Sequence, residues 1–215
     1  MNQFPMKKVI TTNLLAVFFV ITLVLTLAAC SSAPKVTRVD KQADLSGYWN
    51  DNDVQQVCDK LIEECLVSNN VDRFVNLYAQ NHGGGQPAAI VLPFKNASNE
   101  HIDTQIISNS LRASILNSGR LEFVEGGSTR EAIRAERADQ NNNNASEDTA
   151  AAMGKETGAS LAFTGEVRSI IDTAGAVSTR TYYVKATLTN IETTRIIWEG
   201  DETVRKNIKR SAFKP

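Results

Sequence analysis

The sequence has 215 residues, 42% hydrophobic and 22% charged, enough apolar side chain for a packed core and too little charge bias for a disordered chain. Its 23 Lys+Arg against 24 Asp+Glu give a formal net charge of −1, without the basic footprint of a nucleic-acid-binding protein. No self-similarity at a period of about 20–50 residues is visible, which sets aside solenoids and propellers.

Residues 1–29 divide into a short end bearing Lys7 and Lys8, an apolar stretch from Val9 to Leu27, and the small residues Ala28 and Ala29 before Cys30. A positive end, an apolar middle and a small-residue exit describe a secretory signal. A membrane-spanning helix is the competing reading, since roughly 20 apolar residues cross a bilayer. Against it, Ser-Ser-Ala-Pro follows the run instead of a basic cluster, and Leu27-Ala28-Ala29-Cys30 resembles the bacterial lipobox. That resemblance implies cleavage after Ala29, a diacylglycerol on the Cys30 thiol and acylation of the new amine. Several acyl chains at ~0.8 kcal/mol per buried methylene hold a protein on a membrane essentially permanently. In a Gram-negative cell, Ser31 in place of Asp implies sorting to the outer membrane, on its periplasmic side. Cleavage removes Lys7 and Lys8, leaving 21 Lys+Arg against 24 Asp+Glu, a charge near −3.

Residues 30–43 are the expected lipidated tether: polar, small and patternless, at most ~45 Å long when fully extended. The folded domain is expected over 44–207. It opens with a helix whose apolar positions Val54, Val57, Cys58, Leu61, Ile62, Cys65 and Leu66 recur at three and four, with Asn50, Asp51 or Asn52 to cap it. Cys58 and Cys65 lie ~10 Å apart along that helix, too far for a disulfide, and read as two small buried hydrophobes. A second helix carries Val71, Phe74, Val75 and Tyr78 and ends at Gly83-Gly84-Gly85. No Lys-Ser/Thr follows those glycines, so they read as a turn rather than a phosphate loop.

"PAAIVLPFKN" reads as one continuous strand buried on both faces. Ile102 to Ser118 is helical, with Ile107, Leu111 and Ile115 on one stripe and Gly119 as the stop; "LEFVE" is a short strand. Ser128-Thr129-Arg130-Glu131 reads as a capping box opening a further helix. Residues 139–144 read as a polar loop and Asp148 to Thr157 as a short helix closed by Gly158. Three alternating runs follow. Leu161, Phe163, Gly165 and Val167 face one way in the first, and Tyr182, Val184, Ala186 and Leu188 in the second. "RIIWEGDETV" completes an antiparallel meander after a turn at Glu192-Thr193-Thr194. The tail "RKNIKRSAFKP" is basic and expected to fray, with 208–215 outside the domain. The fold class is α+β: a mixed sheet with a C-terminal antiparallel meander and helices packed on one face.

His82 and His101 fall in different loops, and no spacing gathers three or four metal ligands. His101 after Glu100 reads as structural rather than as a base. Glu131, Arg134, Glu136 and Arg137 read as spaced surface pairs on their helix. Asn96-Ala97-Ser98 and Asn144-Ala145-Ser146 fit a glycosylation pattern but read as ordinary loops in a bacterial protein. No hydrolase, β-lactamase or zinc-protease motif occurs. The expectation is therefore no enzyme, cofactor, metal, small-molecule substrate or nucleic acid.

Four stretches carry a resemblance: "ADLSGYWNDNDVQQVCDKLI", "KNASNEHIDTQII", "ERADQNNNNASEDTAAAMGKETGASLAFTGEV" and "LTNIETTRIIWEG". In order and spacing, over about Asp44 to Arg210, they resemble the LpoB-type penicillin-binding-protein activators, lipoproteins of the outer membrane. The resemblance implies a small α/β domain similar to the N-terminal domain of TolB, with no catalysis of its own. It also implies a bifunctional penicillin-binding protein as partner, whose glycosyltransferase and transpeptidase output the lipoprotein raises. Characterised members cross the periplasm on a long Pro-rich segment; here the tether is short and holds one proline, Pro34. No residue for the synthase contact carries over. The alternatives are a structural or assembly lipoprotein of an envelope or secretion complex, and an envelope hydrolase.

Overall fold

The computed structural model of the chain describes residues 46–209. The signal, Cys30, the tether and residues 210–215 lie outside the described residues.

The first helix, α1 (Asp51–Leu66), starts at Asn50, whose side chain accepts from the N–H groups of Asn52 and Asp53 while Asp53 accepts from the Asn50 N–H at 2.8 Å. This reciprocal cap satisfies donors a helix start leaves open. Its stripe is buried as the spacing predicts: Val57 and Leu61 are wholly enclosed, and Cys58 and Cys65 are free thiols inside the core. Helix α2 (Asn69–Asn81) buries Val71, and Gly83 and Gly84 end it at φ +62° and +88°, a conformation glycine adopts without strain.

The expected single strand is two. Strands β1 (Ala88–Val91) and β2 (Lys95–Ala97) lie along the same neighbour, both parallel to it, but from Val91 to Lys95 this chain advances four residues while its partner advances three, Phe163 to Glu166. The extra residue falls around Pro93, which has no N–H to give a ladder. Phe94 turns into the core there, and the residues of β2 are exposed rather than buried on both faces. Helix α3 (Thr104–Asn117), capped by Asp103, inserts Ile107, Leu111 and Ile115 into the core. Strand β3 (Glu122–Phe123) pairs with β1 in parallel.

The connection that follows departs most from expectation. Helix α4 (Gly127–Asp139) begins one residue before Ser128, so no hydroxyl caps it, and Gly126 stands at the cap with no side-chain bond. A Cβ at Gly126 would collide with the Ile90 side chain, which fixes where the chain turns. No residue of α4 is buried. The expected loop at 139–144 is instead a π-helical turn, Gln140–Asn144, continuing α4. The helix expected from Asp148 to Thr157 is absent: the N–H groups of Thr149 and Ala150 both bond the Ser146 carbonyl in a turn, and Gly154 has φ +70°. That segment offers a helix no apolar stripe beyond alanines and one exposed Met153.

Strands β4 (Leu161–Ala174), β5 (Val177–Asn190) and β6 (Ile196–Lys209) form the antiparallel meander. The sheet order is β3-β1-β4-β5-β6, with β2 beside β4. The inward alternation is borne out: Leu161, Phe163, Val167, Tyr182, Val184, Ala186 and Leu188 share one core with α1, α2 and α3. Each long strand exceeds the expected length, and Arg205 to Lys209, expected in a frayed tail, complete β6 opposite Val177 to Thr181. Gly165 is required by packing. A Cβ there would enter the Phe94 ring on one side and meet the Lys185 carbonyl oxygen. The opposite sheet face carries exposed polar groups such as Arg168, Lys185 and Glu199, the last two paired at 2.7 Å.

Candidate functional site

A cleft of about 430 Å³ opens where the chain enters the domain, between the start of α1 and the loop from β2 to α3. Trp49, Val54, Ile102 and Ile106 give it an apolar wall, and Asp51, His101 and Asp103 its polar rim. Its back is a knot of polar side chains held by three elements. Glu100 accepts from Arg180 Nη1 at 2.5 Å and from the Tyr182 hydroxyl at 2.8 and 2.9 Å. Tyr182 Oη also lies 3.1 Å from the Gly47 carbonyl, and its ring meets Trp49 edge-on at 5.3 Å. The Arg180 guanidinium stacks on the exposed Tyr48 ring, 3.9 Å from its centroid. Burial, and then the hydrogen bond to Glu100, push the Tyr182 phenol above its usual value, so it acts as a neutral donor.

A second buried pair engages the same entering segment. Lys206 Nζ meets Asp53 Oδ2 at 2.6 Å and donates to the Tyr48 carbonyl at 3.0 Å; the two side chains are 7% and 5% exposed. One ionic contact thus ties the start of α1 to β6 and the other ties the loop from β2 to α3 to β5, while the Tyr182–Gly47 bond and the Arg180–Tyr48 stack hold the entering segment on β5. Such clamping orders the surface around the cleft. Glu100 is committed to Arg180 and Tyr182, so it does not orient His101, which makes no hydrogen bond among the described residues.

The remaining candidates fall elsewhere. His82 stacks on Tyr78, ring centroids 3.9 Å apart, and bonds the Tyr78 carbonyl; it is far in sequence from the cleft lining and takes no part in it. Burial pushes the Cys58 and Cys65 thiols up to about 12, the opposite of what a nucleophile needs. Arg134 and Arg137 do not pair with Glu131 or Glu136 as their helical spacing suggests. Both reach Glu156, Arg134 through two bonds at 2.8 and 2.9 Å and Arg137 through one at 2.9 Å, tying the 150s back onto α4. Hydrogen bonds from the two guanidinium groups hold the Glu156 carboxyl down at about 2. Among the described residues no three His, Cys, Asp or Glu side chains converge as metal ligands. Among them, too, no helix is long and apolar enough to cross a membrane.

The model of the peptidoglycan-synthase activator LpoB family matches residues 53–204. The chain belongs to that family. The match begins inside α1 and ends inside β6, so it takes in three helices and five strands entire and most of α1 and β6. LpoB C-terminal domains from Salmonella enterica and Escherichia coli are structurally similar, each at 14% identity and TM-score 0.40, covering 71% of this chain and 98% of theirs. The lipoprotein GNA1162 from Neisseria meningitidis is similar at 19% identity and TM-score 0.37, over 59% of this chain and 88% of its own. No curated protein sequence matches the chain.

The two clamps were missed by motif reasoning, although a signal for them existed. The inward parity of Tyr182, Val184, Ala186 and Leu188, counted back two places, lands on Arg180; that of Trp198, Gly200 and Val204, counted forward, lands on Lys206. A cation on the core face of a strand needs a buried anion, and Glu100 and Asp53 supply it.

Proposed function

We propose that the protein is a lipoprotein anchored through Cys30 in the outer membrane, facing the periplasm, and that it binds and stimulates a bifunctional peptidoglycan synthase without catalysing a reaction itself. Membership of the activator family over residues 53–204 carries this reading. The lipobox-like Leu27-Ala28-Ala29-Cys30 supports the anchor.

As an activator it works by differential affinity: it binds the active conformation of the synthase better than the inactive one. A tenfold rise in the active fraction of a mostly inactive synthase needs about 1.4 kcal/mol of such preference. The tether of 30–43 sets the geometry, because a leash that cannot span two sites brings the effective concentration near zero. A synthase partner therefore presents its receiving surface within the extended reach of the tether, ~45 Å, plus the length of the domain itself.

The test is capture. The chain without its signal, carrying Cys30→Ser, is immobilised and exposed to a purified bifunctional penicillin-binding protein from the same cell. Saturable binding supports the proposal; no binding, together with assembly of the chain into a closed ring, would favour a structural lipoprotein instead. Separately, Cys30→Ala is expected to leave an uncleaved precursor outside the outer-membrane fraction. Normal maturation of that variant would show that Cys30 is not the anchor.

A further inference from the structure

Strand β6 is the sheet's last strand, and among the described residues nothing pairs with its outer side. It is 14 residues long, ~46 Å of ladder at about 3.3 Å per residue. Proteins usually blunt such an edge with a short strand, a proline, a bulge or charged side chains, because unpaired backbone groups recruit another strand; on β6 only charges serve, so their arrangement decides which strand is admitted. Ile196–Lys209 contains no proline, and its only irregularity against β5 is at the far end, beside Leu188 and Thr189.

Its charges are sorted along its length. Glu199, Asp201 and Glu202 lie in the first half; Arg205, Lys206 and Lys209 lie in the second. Three are engaged inside the protein: Glu199 with Lys185, Glu202 with Gln56, Lys206 with Asp53. Asp201, Arg205 and Lys209 are exposed and make no ion pair among the described residues; Lys185, directly across from Asp201, bonds Glu199 instead.

A strand acidic in one half and basic in the other is complementary to an antiparallel copy of itself. Facing side chains must share a sheet face, so the two-fold axis places one residue opposite its own copy. Glu202 at that centre sets like charges together, and Val204 at the centre sets Arg205 against Thr203 and leaves Asp201 facing Asn207. With Thr203 at the centre, Asp201 faces Arg205 of the second copy and Arg205 faces its Asp201, flanking a Thr–Thr pair on the solvent face. Opposite-charge and β-branched cross-strand pairs are the stabilising kind.

We propose that the protein self-associates through β6 as a two-fold antiparallel dimer in this register, making one continuous sheet from two copies. The inference is independent of the synthase reading, since it is tested with no synthase present.

The experiment uses the chain from residue 31 to 215, examined by sedimentation velocity. A dimer at about 100 µM is expected. Asp201→Arg and Arg205→Asp, each of which sets two like-charge pairs face to face, should each weaken the dimer about tenfold or more while circular dichroism stays unchanged. The double exchange D201R/R205D should restore it. Thr203→Cys should form a disulfide-linked dimer under mild oxidation, because self-opposed Cα atoms at about 4.5–5.5 Å fit a disulfide. Glu199→Cys should not. A monomeric parent at that concentration, single exchanges that leave the dimer intact, or a double exchange that fails to restore it would overturn the proposal.

Discussion

Replacing Lys206 with Met removes the cation of a buried pair and leaves the rest of β6 in place. Asp53 is 5% exposed at its side chain and has its Oδ2 2.6 Å from Lys206 Nζ. Without that cation it keeps the Asn50 N–H bond but sits as an uncompensated buried charge, and the Tyr48 carbonyl loses its donor. Breaking one side of such a pair costs about 3–5 kcal/mol. For a domain of this size each kcal/mol moves the melting temperature by about 2–4 °C, so Lys206→Met should lower it by roughly 6–20 °C. Adding Asp53→Asn should recover much of the loss, because the carboxylate charge is gone while the amide oxygen still accepts at the helix cap. Thermal denaturation followed by far-ultraviolet circular dichroism reads all three variants. A Lys206→Met protein within about 1 kcal/mol of the parent, or strictly additive variants, would refute the buried pair and return Arg205 to Lys209 to a frayed tail.

Three further outcomes follow from the packing and the ionic contacts. Gly165→Val should lower the urea midpoint by the equivalent of about 1–3 kcal/mol or more, since the Phe94 ring and the Lys185 carbonyl already fill that space; an unchanged midpoint would contradict the close approach. The Glu156 carboxyl is depressed to about 2, so its contribution to holding the 145–157 segment on α4 is complete above about 4.5, falls with pH below that and is lost through about 2. Limited proteolysis should therefore cut that segment faster in Glu156→Gln at pH 7, and equal cutting of parent and variant would argue against the clamp. The Cys58 and Cys65 thiols, raised to about 12 by burial, should resist a thiol reagent at pH 8 in the native protein and react in denaturant; rapid native labelling would show them open to solvent.

How much of this was legible in the sequence depends on periodicity. Where one face of an element is buried, the pattern is strong. The stripe from Val54 to Cys65 and the alternation from Tyr182 to Leu188 therefore gave both the elements and their inward faces. Where nothing is buried, the pattern carries no information. Helix α4 and the 145–157 segment contribute no side chain to the core, and there the expected cap, loop and helix were all misplaced. The split of β1 from β2 turned on one residue, Pro93, inside a run whose hydrophobicity suggested continuity. The ends of β5 and β6 looked too polar for a sheet because their inward positions hold Arg180 and Lys206, whose partners lie far away in sequence. Family membership, by contrast, rested on the order of four weak stretches, and the family match over 53–204 agrees with it.

The proposed role is that of a domain without catalysis of its own that raises the output of a peptidoglycan synthase. Its most direct test is the rate of glycan-chain polymerisation by a purified bifunctional penicillin-binding protein with lipid-linked disaccharide substrate, measured as the chain from residue 31 to 215 is added. A saturable rise in rate with the added protein is expected, and no polymerisation by that protein alone. A rate that stays flat at concentrations where the two proteins demonstrably bind, or turnover by the added protein by itself, would contradict it.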